Sequence, residues 1–220
     1  MEIIAFYYLL RVGEYTSPKQ RGRQPRTQKF LVNEVTYFKL RKTCGFLYPI
    51  PPNASKQELL SVVMATLCIT EHKNSFKGAF VHHGALEGQK IAYPVKALAR
   101  QLTHIWVHTS DRKALLCAYW DSVGRGDVTD RDMGFHMKFS ASKLGYHSRN
   151  IPLDRIDTHS NRAGGACATK LELFDDESIG KMGRWLPSSN AFLKYTQHHL
   201  SGFYQGMATK MSRIARFTKM

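Results

Sequence analysis

Acidic side chains are scarce in this sequence. Over 220 residues, 17 Asp and Glu stand against 32 Lys and Arg, for a formal net charge of +15. Such a balance suits a polyanionic partner, most often nucleic acid; the plainer alternative is a ribosome-associated or simply soluble basic protein. Long apolar runs are missing too. None approaches the roughly 20 residues that cross a bilayer, which excludes an apolar spanning helix. The opening MEIIAFYYLLRVGEY is apolar but short, and it begins with an acid rather than a basic cluster, so it lacks the shape of a signal peptide and secretion is not expected. Cysteine is sparse. The four stand apart at Cys44, Cys68, Cys117 and Cys167, which excludes zinc-ligand spacing and leaves buried, reduced thiols as the reading. Internal repeats and low-complexity stretches are absent.

What is present describes a globular chain. Hydrophobic residues make up 43%, enough for a core, in one large domain or two small ones. Residues 1–12 read as an apolar helix. The following SPKQRGRQPRTQK carries Lys19, Arg21, Arg23, Arg26 and Lys29 with no acid. It reads either as a solvated loop or as a phosphate-contacting or nuclear-import segment. KFLVNEVTYFKL alternates as one strand or two short ones, and YPIPPNASKQ is a bend. LLSVVMATLCIT reads as a strand, with a buried helix as the alternative. EHKNSFKG then joins it to a second extended stretch in a hairpin with a longer turn.

Further on, Pro94 opens a helix whose apolar face holds Val95, Leu98, Leu102 and Ile105. KALLCAYW fits a short strand and DSVGRGD a loop. Thr129 with Asp132 forms a capping box for a helix to Leu144, stopped by Gly145. Asp157 or Thr158 caps a helix beginning at 159. Asp175 caps a shorter one that Gly183 ends, and Ser188 or Ser189 caps a last helix to Leu200. The whole is expected to be α+β, mainly α, with a small antiparallel sheet. Ten histidines invite a metal reading. His82 and His83 are adjacent, and His104 and His108 lie four apart, yet no Cys or carboxylate completes a set, so neither metal nor other cofactor is expected.

The stretch IDTHSNRAGGACATKL places His159 and Arg162 three positions apart and then weakens its own helix with Gly164 and Gly165. A guanidinium suits an anion, because its planar fork grips two oxygens at once. A basic chain without a metal set can act on a phosphodiester if cations neutralise the developing charge, a nucleophile attacks, and an acid serves the leaving oxygen.

LLRVGEYT, THSNRAGGA, MGRW and FLKYTQHHL occur here in the order and spacing of the catalytic domain of tyrosine recombinases, the phage-integrase family. The resemblance is closest to the versions carried by eukaryotic mobile elements. It covers essentially the whole chain, most strongly 156–200. It implies catalytic roles for Arg11, Lys73, His159, Arg162, Trp185 and Tyr195, with Glu14 bracing Arg11. Lys77 is the alternative to Lys73 as general acid and otherwise a DNA contact, beside Lys19, Arg21, Arg23 and Arg26. Alone, each of these residues has an ordinary structural reading: a helix-end arginine, a chance His-x-x-Arg, a core tryptophan, a half-buried tyrosine, a solvated turn lysine.

The resemblance further implies a catalytic domain over 1–200, a basic C-terminal tail over 201–220, and no N-terminal DNA-clamping domain ahead of Arg11. The separation of Arg11 from His159 is long for the family, with the extra length assigned to 106–128. The implied activity is DNA cleavage and rejoining through a 3′-phosphotyrosyl link, in site-specific recombination or integration. Double-stranded DNA is the expected partner, with self-association on DNA and no membrane. The expected location is the nucleus in a eukaryote and the cytoplasm otherwise. Rival readings are an inactive DNA-binding remnant of a mobile element, a type IB topoisomerase-like enzyme, and a basic structural protein. Arg11, His159, Arg162 and Tyr195 are expected to converge on one phosphate-sized point.

Overall fold

The computed structural model describes residues 1–17, 29–41, 43–51, 54–70, 78–85 and 94–186, together with Ser188 and Leu193. The fold is α+β. Its centre is a four-stranded antiparallel sheet of β1 (Val35–Leu40), β2 (Leu47–Pro49), β3 (Met64–Ile69) and β4 (Ala79–Gly84), in the order β2-β1-β3-β4. β3 and β4 pair from Met64↔Gly84 to Ile69↔Ala79, so LLSVVMATLCIT does form the first arm of a hairpin. It begins, however, inside a short helix, α3 (Lys56–Leu60), that the apolar pattern concealed. Ser55 caps α3 by accepting from the Glu58 N–H at 3.2 Å.

One face of the sheet is buried. Tyr37, Ala65, Leu67, Ile69 and Val81 pack there against α1 (Glu2–Tyr7), α3 and α4 (Pro94–His108). The apolar row expected on α4, Val95, Leu98, Leu102 and Ile105, is buried throughout. Removing such a row from water is the largest stabilising contribution a helix of this length receives. On its far side α4 holds a second small sheet, β5 (Ala118–Trp120) with β6 (Arg125–Asp127). Gln101 Nε2 donates to the carbonyls of Leu116 at 2.8 Å and Ala118 at 2.9 Å. DSVGRGD is therefore not all loop: its last three residues form β6, closed by Asp121 and Gly124. His104 accepts the Trp120 N–H at 3.2 Å, and His108 stacks on the Trp120 ring, which accounts for that histidine pair as packing.

The C-terminal half is helical. α5 (Asp130–Lys143) opens with the reciprocal Thr129–Asp132 box, and Gly145 follows it at φ 69°. α6 (His159–Leu171) has no side-chain cap from Thr158; the Asp157 carboxylate accepts the His159 N–H at 2.8 Å instead. α7 (Asp176–Gly183) is capped by Asp175, which accepts from the Ser178 N–H at 2.7 Å. A second, smaller core joins Leu9, Ala166, Ile179 and Trp185.

The N-terminal helix is shorter than its apolar pattern implied. α1 stops at Tyr7, Leu9 turns left-handed at φ 47°, and a separate turn, α2 (Val12–Tyr15), follows. Tyr8 and Leu10 belong to the large core and Leu9 to the small one. Residues 8–15 thus run along the seam between the two. That division of side chains is the physical reason the helix breaks where it does. The helix expected to reach Leu200 lies outside the described residues except for Ser188 and Leu193, as do the tail from 201 and the turn 71–77. Among the described residues, no helix is long and apolar enough to cross a membrane.

Candidate functional site

The break after α1 exposes main-chain carbonyls that a continuing helix would have used, and buried carbonyls need donors. Three successive ones are taken by side chains. The Tyr7 carbonyl accepts from His83 Nε2 at 2.8 Å. The Tyr8 carbonyl accepts from Arg184 Nη1 at 3.3 Å. The Leu9 carbonyl accepts from both Arg162 Nη1 and Arg184 Nη2. Cations are favoured at this end of a helix, where the carbonyls concentrate negative charge.

Arg162 also donates through Nη2 to the Gly183 carbonyl, so a single guanidinium ties the end of α1 to the end of α7. Its carbon lies 4.1 Å from the centre of the Trp185 ring, a cation–π stack that is almost wholly removed from water. Trp185 folds back over Gly183, where a Cβ would overlap the indole. Only glycine lets the ring lie flat at that position.

Arg11 is the N-cap of α2. Its N–H donates to Glu14 Oε2 at 2.7 Å, and its guanidinium lies 3.6 Å from Glu14 Oε1. Glu14 thus braces Arg11. Its strongest partner, however, is Arg184, with Nη2 at 2.6 Å and both side chains buried. Burial pushes the Arg184 guanidinium below its ordinary range, and the Glu14 carboxylate counters that. Arg184 holds a left-handed backbone at φ 58°, unusual for a side chain with a Cβ. That backbone costs about 1 kcal/mol for a single residue, and it is the conformation in which Arg184 makes the buried ion pair and the carbonyl contacts.

α6 is joined to the same seam from below. The Tyr15 hydroxyl donates to the Thr158 carbonyl at 3.1 Å, one residue before His159. His159 is exposed on the first turn of α6, while Arg162, one turn on, is 2% exposed. Gly165 accounts for half of the double glycine: a Cβ there would overlap the Phe6 carbonyl oxygen and Leu9 Cδ2. At Gly164 a Cβ would meet only the Phe6 ring edge at 3.4 Å.

The structure therefore brings the elements carrying Arg11, Glu14, His159, Arg162 and Trp185 to one seam. Lys73, Lys77 and Tyr195 lie outside the described residues, as do Lys19, Arg21, Arg23 and Arg26. Of the residues that flank the basic stretch, the Ser17 N–H donates to the Val128 carbonyl, and the Phe30 N–H donates to the Glu14 carbonyl. Arg184 is the residue that sequence reasoning missed. Its signal lay within MGRW, where the tryptophan drew attention and the preceding arginine did not.

Two guanidiniums, Arg11 and Arg184, thus flank the Glu14 carboxylate, and Arg162 shares the Leu9 carbonyl with Arg184; the surplus positive charge favours an anion. Burial raises the phenols of Tyr8, Tyr15 and Tyr37, that of Tyr15 to about 12. Such phenols resist ionisation and make poor nucleophiles. Among the described residues no group of His, Cys, Asp and Glu could hold a metal ion. No family model matches the chain, and no curated protein or solved structure matches it either.

Proposed function

We propose that this protein cleaves and rejoins duplex DNA through a covalent tyrosyl intermediate, in the manner of the recombinases its sequence resembles. The observation that carries the reading is the seam itself. Residues separated by up to 170 positions bring Arg11 and Arg184 to Glu14, with His159 exposed one turn before Arg162. The net charge of +15 supplies the general attraction to a polyanion.

In this reaction the Tyr195 oxygen forms a bond to the scissile phosphorus, and His159 takes the phenolic proton. The bond from phosphorus to the 5′-oxygen breaks, and Lys73, or Lys77 in its place, protonates that oxygen as it leaves. Arg11, reinforced by the Glu14–Arg184 pair, neutralises the nonbridging oxygens. A 5′-hydroxyl from the same or another strand reverses the attack and releases the tyrosine. Strand exchange between sites, self-association on DNA and a nuclear or cytoplasmic location belong to the same proposal.

One observation favours a second reading. Arg162 spends both terminal nitrogens on main-chain carbonyls and is buried under Trp185. A guanidinium used this way can be a structural tie, and the protein would then bind DNA without cutting it. A nicked duplex that loses a short 5′-hydroxyl fragment after attack separates the two. The first reading expects a protein–DNA adduct stable to denaturant, lost in Tyr195→Phe with binding retained. Binding with no adduct from either protein supports the second and rejects the first.

A further inference from the structure

The sheet does not end squarely. β1 pairs with β3 only as far as Phe38↔Met64, but with β2 it continues through Lys39↔Tyr48 to Leu40↔Leu47. The ladder extends one step further, where the Arg41 N–H donates to the Phe46 carbonyl at 2.9 Å, and Gly45 closes the turn at φ 69°. A two-stranded ribbon therefore overhangs the sheet by several residues, about 10 Å at the rise of a strand.

Among the described residues, α3 reaches the base of this ribbon, where Lys39 Nζ lies 3.8 Å from Glu58 Oε1, and the tip beyond it is exposed. One face carries Lys39, Arg41, Phe46 and Tyr48; the other carries Leu40 and Leu47. Phe46 is 73% exposed, Leu40 49% and Leu47 46%. Large apolar side chains on both faces of a free two-stranded ribbon are costly in water and hazardous at a sheet edge, so they call for a partner. Charge identifies it. Between Glu34 and Glu58 the sequence has no acid, while Lys39, Arg41, Lys42 and Lys56 lie in that interval. The Arg41 guanidinium already lies 5.6 Å over the Tyr48 ring, holding a cation beside the apolar tip.

Resting on the DNA reading above, we propose that the β1–β2 ribbon is a DNA-bending wedge. Arg41 lies along the phosphates, and Phe46 inserts at a base step while Leu40 and Leu47 cover the flanking sugars. Apolar wedges carried beside basic residues unstack a step and kink the duplex, and the bend lets more protein surface reach the backbone. The ribbon would fix DNA in a bent path across the protein at a place separate from the arginine seam.

The test is ligase-mediated circularisation of a duplex of about 150 bp, a length that resists closure because it matches the persistence length. The full chain is expected to raise the yield of circles by roughly tenfold. Phe46→Ala should abolish most of that rise while changing filter-binding affinity less than about threefold, since a wedge contributes deformation more than attraction. Arg41→Gln should weaken binding itself. Phe46 is exposed, so Phe46→Ala should keep the melting temperature. If the wild type retains duplex without bending it, or if Phe46→Ala bends as well as the wild type, the wedge is wrong and the DNA reading stands. If the wild type retains no duplex even at low salt, both fall. If Phe46→Ala instead splits a wild-type dimer with circle yield unchanged, the ribbon is a self-interface and the proposal is overturned.

Discussion

Glu14 and Arg184, 170 residues apart in sequence, meet with Arg184 Nη2 2.6 Å from Glu14 Oε2, and each side chain is no more than 3% exposed. The pair closes the chain on itself. It fixes α2 against the turn after α7 and holds the carboxylate that also braces Arg11. Removing one member of a buried pair leaves the other as an uncompensated charge. Glu14→Gln should therefore cost about 3 kcal/mol, read as a lower urea midpoint with unchanged slope. An effect no larger than that of a surface substitution would mean that the pair does not hold the seam.

The double glycine of α6 gives a paired test. Gly165→Ala should destabilise by about 2 kcal/mol, because the new methyl overlaps the Phe6 carbonyl and backbone cannot yield as a side chain can. Gly164→Ala meets only a ring edge and should be neutral or stabilising by up to about 1 kcal/mol through helix propensity. Thermal melts of the two variants decide it. Equal effects would contradict the close approach of α1 to α6.

Local signals were the legible part of the sequence. Pro94 with its apolar row, the Thr129–Asp132 box with Gly145, and the Asp175 cap each sit within a few residues, and each forms as read. The failures come from long-range competition. The apolar pattern of 1–12 continues past Tyr7, but Leu9 is claimed by a different core from its neighbours, and arginines from the other end of the chain supply the donors its carbonyl needs. β6 was invisible because RGD has no apolar alternation and owes its strand to pairing with β5. Arg184 went unnoticed because nothing local to it requires a buried charge. The residues named for the candidate site came from the resemblance to the recombinases, whereas the way Arg162 and Arg184 are spent on carbonyls was not legible in the sequence.

His83 sets a pH dependence. Burial is the larger cause and holds its imidazole below the ordinary histidine range; the neighbouring His82 adds to that, and the hydrogen bond to the Tyr7 carbonyl works the other way. The unfolded chain takes up this proton near pH ~6.5, and the folded one does so only at lower pH. Between those values the unfolded state binds more protons. Stability therefore falls as pH drops below about 6.5 and levels off once the folded imidazole also titrates. Urea titrations between pH 7 and 5.5 should show this slope in the wild type. In His83→Gln, which keeps a donor for Tyr7, the slope should flatten. An identical slope in both would assign it elsewhere.

The basic sequence between Ser17 and Phe30 gives a salt-dependence test. Replacing Lys19, Arg21, Arg23 and Arg26 together with Gln should weaken duplex binding and lower the slope of log K against log salt by about 3 to 4. The change should be the same for unrelated sequences, because phosphate contacts carry no base information. An unchanged slope would place the DNA path elsewhere on the protein.

The most direct test is to identify the protein atom that becomes joined to DNA. After incubation with the nicked duplex, denaturation and digestion, mass spectrometry should find a nucleotide on the peptide containing Tyr195, linked through a phosphotyrosyl bond and absent in Tyr195→Phe. A wild-type digest with no nucleotide-bearing peptide, or one with the link on any other residue, would contradict the proposed chemistry.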